Sequence, residues 1–201
     1  MTEPAAIRPA ATVVLWRDGA LGTEVLMGQR GARAVFMPSK FVFPGGGIEA
    51  TDRPRPGHLT PACRARLQED VPPDAPAPDR IVGAALRELG EETGLRLAPA
   101  APLRFIFRAI TPPGAPRRFD ARFLLGTAQA IEGDPQDFSA ASDELSALQW
   151  VPLVQARTFD LPFITEIVLS EVGALTRGLD QPGVPFFDNR GPRPQFRRLL
   201  G

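Results

Sequence analysis

The sequence predicts an α/β protein in which a sheet lies between helices. Two observations carry that prediction. From Ile81 to Thr93, Val82, Ala85, Leu86 and Leu89 recur at helical spacing, so one stripe can face a core. Short β-rich runs lie before and after that stretch, and a second helical stretch, Pro162 to Arg177, follows them. Strands around a central helix, closed by another helix, call for a layered arrangement.

The early elements read in order. Residues 1–9, with two prolines and little apolar content, read as a loose lead-in. Ala10 to Arg17 is β-rich, and Asp18-Gly19 signals a turn before a second run, Thr23 to Gln29, so a hairpin is expected. Phe41-Val42-Phe43 reads as a short strand that delivers the chain to Gly45-Gly46-Gly47. Glycines there permit a tight turn, positive φ and a close backbone approach to a phosphate or a metal. The next segment, Arg53 to Asp79, holds Pro54, Pro56, Pro61, Pro72, Pro73, Pro76 and Pro78, which forbid a long helix or a central strand. One short helix fits within it, with Thr60 as N-cap, Pro61 in the first turn and Ala62 to Glu69 following. His58, the only histidine, reads as an exposed loop residue. A segment of this length can serve as a lid over a site or as a passive spacer.

Beyond the central helix, Gly94 offers a stop in the left-handed conformation. Leu103 to Ile110 and Arg117 to Ala128 read as strands around a stiff Thr111–Pro116 loop. Arg117-Arg118 could meet substrate phosphates, since guanidinium binds phosphate bidentately; solubility is the plainer role. Leu148 to Pro152 reads as another strand, preceded by Ser142-Asp143-Glu144, and Pro152 to Phe159 suggests a short helix. In the Pro162–Arg177 helix, Phe163, Ile167, Leu169, Ala174 and Leu175 are placed near the buried face, with Gly178 as the stop. The Val184–Phe187 run could add an edge strand or cover the site, and the arginines between residues 190 and 198 could steer anions.

Composition narrows the function classes. The 201 residues suffice for one domain with a sizeable core. With 23 basic and 23 acidic residues the formal net charge is zero, which gives no support to bulk nucleic-acid or membrane binding. Lys40 is the only lysine, a bias of coding rather than of function. Cys63 stands alone, so neither a disulfide framework nor a cysteine-based zinc site is expected. No secretory signal or apolar span is visible, and the Leu199-Leu200-Gly201 end matches no peroxisomal address. A cytoplasmic protein is the expectation.

The polar flank of the central helix carries the chemistry. Glu88 and Glu92 are spaced i,i+4 and Glu88 and Glu91 i,i+3. Like charges at those spacings cost a helix roughly 0.2–0.5 kcal/mol per pair. They also fall in the last turns, where the helix dipole disfavours anions. Arg87 can pair with Glu91 but cannot neutralise three carboxylates. A hard divalent cation, Mg²⁺ or Mn²⁺, with water and substrate phosphates completing its shell, is one resolution; a solvated acidic face is the other.

Arg87-Glu88-Leu89-Gly90-Glu91-Glu92-Thr93-Gly94-Leu95 resembles, position for position, the second half of the Nudix hydrolase signature, and Phe43-Pro44-Gly45-Gly46 resembles its opening. Two departures stand out. Asp52 occupies the place of a Glu, one methylene shorter. The short run that should precede the Arg is expanded into residues 53–86, which puts an insertion at about 53–79 inside the signature of one 1–201 domain. A long loop costs little extra closure entropy. The split signature, together with Phe36-Met37-Pro38-Ser39, resembles the long-insert branch related to the peroxisomal coenzyme A diphosphatase.

That resemblance implies an α/β/α sandwich with a mixed β-sheet and a loop-helix-loop signature. It implies an enzyme that hydrolyses a phosphoanhydride of a nucleoside diphosphate derivative with Mg²⁺ or Mn²⁺. Glu88 and Glu92 are the implied metal ligands, with Glu91 a ligand or base and the Gly46 carbonyl a further ligand; Glu49 could substitute for Asp52. Arg87 would orient the glutamates, Gly45, Gly46 and Arg117 would meet substrate, and Glu144 is the candidate catalytic acid outside the signature. Coenzyme A or an acyl derivative is the first substrate expectation and ADP-ribose or NADH the second. A catalytically silent nucleotide-binding module is the alternative class, and a homodimer is possible.

Overall fold

A computed structural model describes residues 5–201. The lead-in expected over residues 1–9 lies partly outside these; from Ile7 onward the chain is already strand. The described elements are β1 (Ile7–Gly19), β2 (Gly22–Arg30), β3 (Phe41–Val42), β4 (Gly45–Gly47), α1 (Pro61–Gln68), α2 (Pro78–Thr93), β5 (Arg104–Ile110), β6 (Arg118–Thr127), β7 (Leu145–Pro152), α3 (Phe163–Thr176), β8 (Val184–Asp188) and β9 (Gln195–Leu199). The strands form one sheet in the order β3-β2-β1-β6-β5-β8-β9, with β4 added to β1 and β7 to β2. It is mixed, because β1 runs parallel to β6 and β5 parallel to β8 while the remaining pairs are antiparallel.

The two faces of the sheet bury different residues. Ala11, Val13, Leu15, Phe105 and Leu124 pack against Ile81, Val82, Ala85 and Leu89 of α2 and against Cys63 and Leu67 of α1. Val14, Val25, Phe107 and Phe123 pack against Val168, Leu169 and Val172 of α3. The period-2 alternation of a strand sorts neighbours to opposite layers, and the expected α/β sandwich with a mixed sheet is the observed one. On α3 the buried set is Thr165, Val168, Leu169, Val172 and Gly173, whereas Phe163 is 65% exposed. Phe163 sits in the first turn, ahead of the stripe, and rests on Phe187 instead. The short helix expected over Pro152–Phe159 is a single 3-10 turn, Ala156–Thr158.

The inserted segment is a buttress rather than a lid. Thr60 caps α1 as expected, accepting from the Cys63 amide. His58 is buried, not exposed: its Nδ1 lies 2.7 Å from the Ala101 carbonyl, and the Leu103 amide donates to the His58 carbonyl. Arg64 grips both Asp79 carboxylate oxygens, and the Arg55 amide donates to the Asp79 carbonyl, tying the segment to the start of α2. Where the segment leaves the glycine strand it presses on α2 so closely that a Cβ on Gly83 would lie 2.0 Å from the Arg53 carbonyl oxygen. Its far end accepts from Arg108 through the Glu69 and Asp70 carbonyls.

Candidate active site

The edge of β1 opposite β6 is used twice. Residues 16–19 pair with β2, and Ala10, Ala11 and Thr12 pair with Gly47, Gly46 and Gly45 of β4. The glycine stretch, expected as a positive-φ turn, is therefore a strand, and none of its three glycines has positive φ. What requires glycine is closeness. A Cβ on Gly45 would lie 2.6 Å from the Ala11 carbonyl oxygen, and one on Gly46 would lie 2.3 Å from a Glu88 carboxylate oxygen. At Gly45 the neighbour is fixed backbone, so a side chain does not fit there; at Gly46 it is the Glu88 carboxylate, which a side chain would displace.

That acidic end divides into buried and exposed carboxylates. Glu92 is 1% exposed, accepts a 2.8 Å hydrogen bond from the Gly45 amide, and has no ion-pair partner among the described residues. Burial pushes its carboxyl up to about 8, against the pull of that amide and with the help of the neighbouring Glu88 charge. Glu88 is also buried and is raised by desolvation, against the attraction of Arg87. Glu91 points outward, with its side chain 58% exposed.

Arg87 is the hub. It donates to both oxygens of Asp52 (2.7 and 3.3 Å), to Glu88 at 2.8 Å, to Glu91 at 2.9 Å and to the Gly47 carbonyl at 3.0 Å. The hydrogen bond to Asp52 raises the guanidinium pKa most. Asp52 is buried and also accepts from the Glu49 amide at 2.7 Å; these bonds outweigh burial and hold its carboxyl below the usual range. Asp52 thus faces Arg87 and not the cavity, whose rim carries Glu49.

The cavity, about 670 Å³, is lined by Gly45, Gly46, Gly47, Glu88, Glu91, Glu92 and Glu144 at its acidic end. The Ser142 amide donates to the Glu91 carbonyl, and this tie brings Glu144 close enough to add like charge to Glu88 and Glu92. Arg117 lines the cavity, whereas Arg118, its expected companion, is buried on the other sheet face and donates to the Thr111 and Asn189 carbonyls. Neither the 53–77 segment nor the β8–β9 hairpin lines the cavity; the loop residues Val35, Phe36 and Met37 do. Phe36 meets Phe119 edge-on with centroids 5.2 Å apart, and Met37 holds φ at +52°. Arg30, unsuspected from the sequence, also lines the wall, with its Nε buried and unpartnered.

The donor set suits a hard divalent cation. Among the described residues no three acidic, histidine or cysteine side chains already converge at ligand spacing. Glu88 is drawn to Arg87 and Glu92 to the Gly45 amide, as mutually repelling carboxylates would be. Glu92 is buried without an ion-pair partner among the described residues and holds its proton up to about pH 8; a cation beside it would stabilise the ionised form. Glu88, Glu91 and Glu92 are the oxygen ligands that could hold one.

A family model described as NUDIX domain matches residues 6–169. A Nudix hydrolase from Alicyclobacillus acidocaldarius shares 30% identity over 83% of this chain and 90% of its own, with a TM-score of 0.60. The MutT Nudix hydrolase of Burkholderia pseudomallei (22% identity, 83% and 98% covered, TM-score 0.53) shares the fold. So does the Nudix domain of Shewanella oneidensis NrtR in complex with ADP ribose (14% identity, 85% and 89% covered, TM-score 0.55). No curated protein matches. No helix among the described residues is long and apolar enough to cross a membrane.

Proposed function

We propose, for a chain that belongs to the Nudix hydrolase family, that it cleaves the phosphoanhydride of coenzyme A or an acyl-coenzyme A with Mg²⁺ or Mn²⁺. Family membership makes it an enzyme acting on nucleoside diphosphate derivatives; the substrate, the metal and the residue roles are the proposal. The observation that carries it is the buried Glu88–Glu92 pair, set against a side-chain-free glycine strand at one end of a cavity with a long apolar section.

Glu88 and Glu92, with Glu91 and the Gly46 carbonyl, would hold the cation. When bound, a divalent cation there would neutralise phosphate oxygens and lower the pKa of an attacking water. The protein's own groups do the rest. Arg87 fixes the rotamers of Glu88 and Glu91 while Asp52 fixes Arg87. Glu91, exposed to solvent, or Glu144, at the cavity edge, would accept the proton as water attacks phosphorus. The P–O bond to the bridging oxygen then breaks, and that oxygen leaves with the second phosphate. Phe36, Phe119 and Ile110 offer apolar surface for the rest of the substrate, and Arg117 offers an anion contact.

Product formation from coenzyme A, ADP-ribose, NADH and nucleoside triphosphates, each with Mg²⁺ or Mn²⁺, tests the assignment. The expected result is metal-dependent release of adenosine 3′,5′-bisphosphate and 4′-phosphopantetheine from coenzyme A, lost in Glu92→Gln. Preferential cleavage of ADP-ribose or NADH would move the substrate assignment while keeping the site. Cleavage that survives in Glu92→Gln would overturn the site.

A further inference from the structure

The cavity has a second charged end, and strand register says how far it lies from the first. Gly46 sits level with Ala11 of β1, and a Cβ built there would meet the Glu88 carboxylate. Arg8 lies three residues back along β1 and is level with Phe119 of β6, while Arg118 is level with Ile7, which places Arg117 one step further out. At about 3.3 Å per residue, Arg8 and Arg117 stand roughly 10 and 17 Å along the sheet from the acidic end. Alternation puts both on the cavity face: Arg8 shares its side with Ala10 and Thr12, and Arg117 with Phe119, Ala121 and Phe123, all of them lining residues.

The arginines of the cavity differ in what already holds them. Arg87 is committed to Asp52, Glu88, Glu91 and the Gly47 carbonyl. Arg30 stands near Glu92 and lowers its pKa. The side chains of Arg8 and Arg117 make no hydrogen bond or ion pair among the described residues. The acid on their side of the rim, Glu49, accepts from the Thr51 hydroxyl and pairs with neither. Phe36, Ile48, Ile110 and Phe119 also line the cavity and offer apolar surface rather than phosphate contacts.

We propose that Arg8 and Arg117 form a second anion subsite that selects substrates carrying a phosphoryl group remote from the diphosphate that is cut. The inference rests on the hydrolase reading above and sharpens its substrate: an adenine nucleotide with an additional ribose phosphate. Both arginines are exposed, and guanidinium recognition of such a group is charge-assisted and bidentate.

Two matched pairs test it. Coenzyme A against dephospho-coenzyme A varies a 3′-phosphate, and NADPH against NADH varies a 2′-phosphate. Wild type is expected to favour the phosphorylated member of one pair by roughly tenfold or more in kcat/KM, and the pair that discriminates identifies which ribose position is read. In Arg8→Ala/Arg117→Ala that ratio falls towards one, and Arg117→Lys keeps part of it. Equal use of both members by wild type, or a ratio unchanged in the double variant, overturns the proposal. Calorimetry with adenosine 3′,5′-bisphosphate, adenosine 2′,5′-bisphosphate and AMP decides the subsite even if no diphosphate is cleaved. One bisphosphate should bind wild type more tightly than AMP, and the double variant should lose the difference; equal binding by wild type overturns it.

Discussion

Two clusters of charge lie at different places on the same sheet, and they are built on opposite principles. On the face beneath the inserted segment, Asp120 receives Arg108 at 2.7 and 2.8 Å and Arg122 at 2.9 Å, all within the core. Beside it, Asp188 and Asp70 each pair with both Arg190 and Arg197, and Arg108, Arg190 and Arg197 lie over the Phe186 ring. Every acid there has a cation. At the end of α2, by contrast, Glu92 is as deeply buried and makes no ion pair among the described residues, with only the more distant attraction of Arg30. The titration behaviour follows. Against the upward push of burial, the hydrogen bonds from Arg190 and Arg197 pull Asp188 down to about 2, whereas burial drives Glu92 up to about 8. In the first cluster every carboxylate is paired, although the Nε atoms of Arg122 and Arg197 are buried without a partner, and the cluster holds the insert and the C-terminal hairpin to the sheet. The second is incomplete, and incompleteness is what a cation-binding site requires.

Substitutions should separate the two. Removing the shared carboxylate of a buried ion-pair network strands its arginines, so Asp120→Ala is expected to cost about 3–5 kcal/mol by urea unfolding. A loss under about 1 kcal/mol would mean that the arginines find water and that the network is not closed.

The pH dependence should have opposite signs in the two regions. Glu92 has a folded pKa above its unfolded value of 4.5, so the folded protein holds the extra proton. Its contribution is fully present below about pH 4.5 and is lost as pH rises through about 8. Without metal, its share of stability therefore falls between those values by on the order of a few kcal/mol, and Glu92→Gln should flatten that slope. Asp188 is depressed below its ordinary value of 3.8, so its contribution is present above that value and is lost as pH falls through about 2. Urea titrations in chelator from pH 5 to 8.5 would check the first, and acid unfolding would check the second.

Activity should respond chiefly to the open cluster. Glu92→Gln is expected to lower kcat by at least ~10²-fold while leaving the metal-free fold as stable as wild type or more so. Asp52→Asn acts only through Arg87, so a smaller loss of roughly 10–100-fold in kcat is expected, with KM little changed.

Much of this site was legible locally. Helical spacing and Gly94 located α2, which ends at a left-handed Gly94 as expected and begins at Pro78, ahead of Ile81 because a proline fits the first turn. The carboxylates stood out because their spacing is unfavourable without a partner. Features that depend on distant chain segments were not legible. Nothing near His58 foretells the Ala101 carbonyl that buries it, and the insert's location follows from contacts with α2, β5 and the C-terminal hairpin. Asp52 was recognisable as a carboxylate, but its bond to Arg87 spans 35 residues of chain. Alternation along Arg117-Arg118-Phe119-Asp120-Ala121-Arg122 could have separated the cavity-facing Arg117 from the buried Arg118 and Arg122. The aromatic and cationic wall from Arg30 and Phe36 had no local signal beyond residue type.

The most direct measurement is thermal unfolding of wild type and Glu92→Gln at pH 7.5 with and without Mn²⁺ or Mg²⁺. Binding to the folded state alone raises Tm with ligand concentration. A metal-dependent rise in wild type that is abolished or sharply reduced in Glu92→Gln is the predicted result. Equal rises in both proteins, or none in wild type at millimolar metal, would contradict the claim that the buried carboxylates form an open cation site.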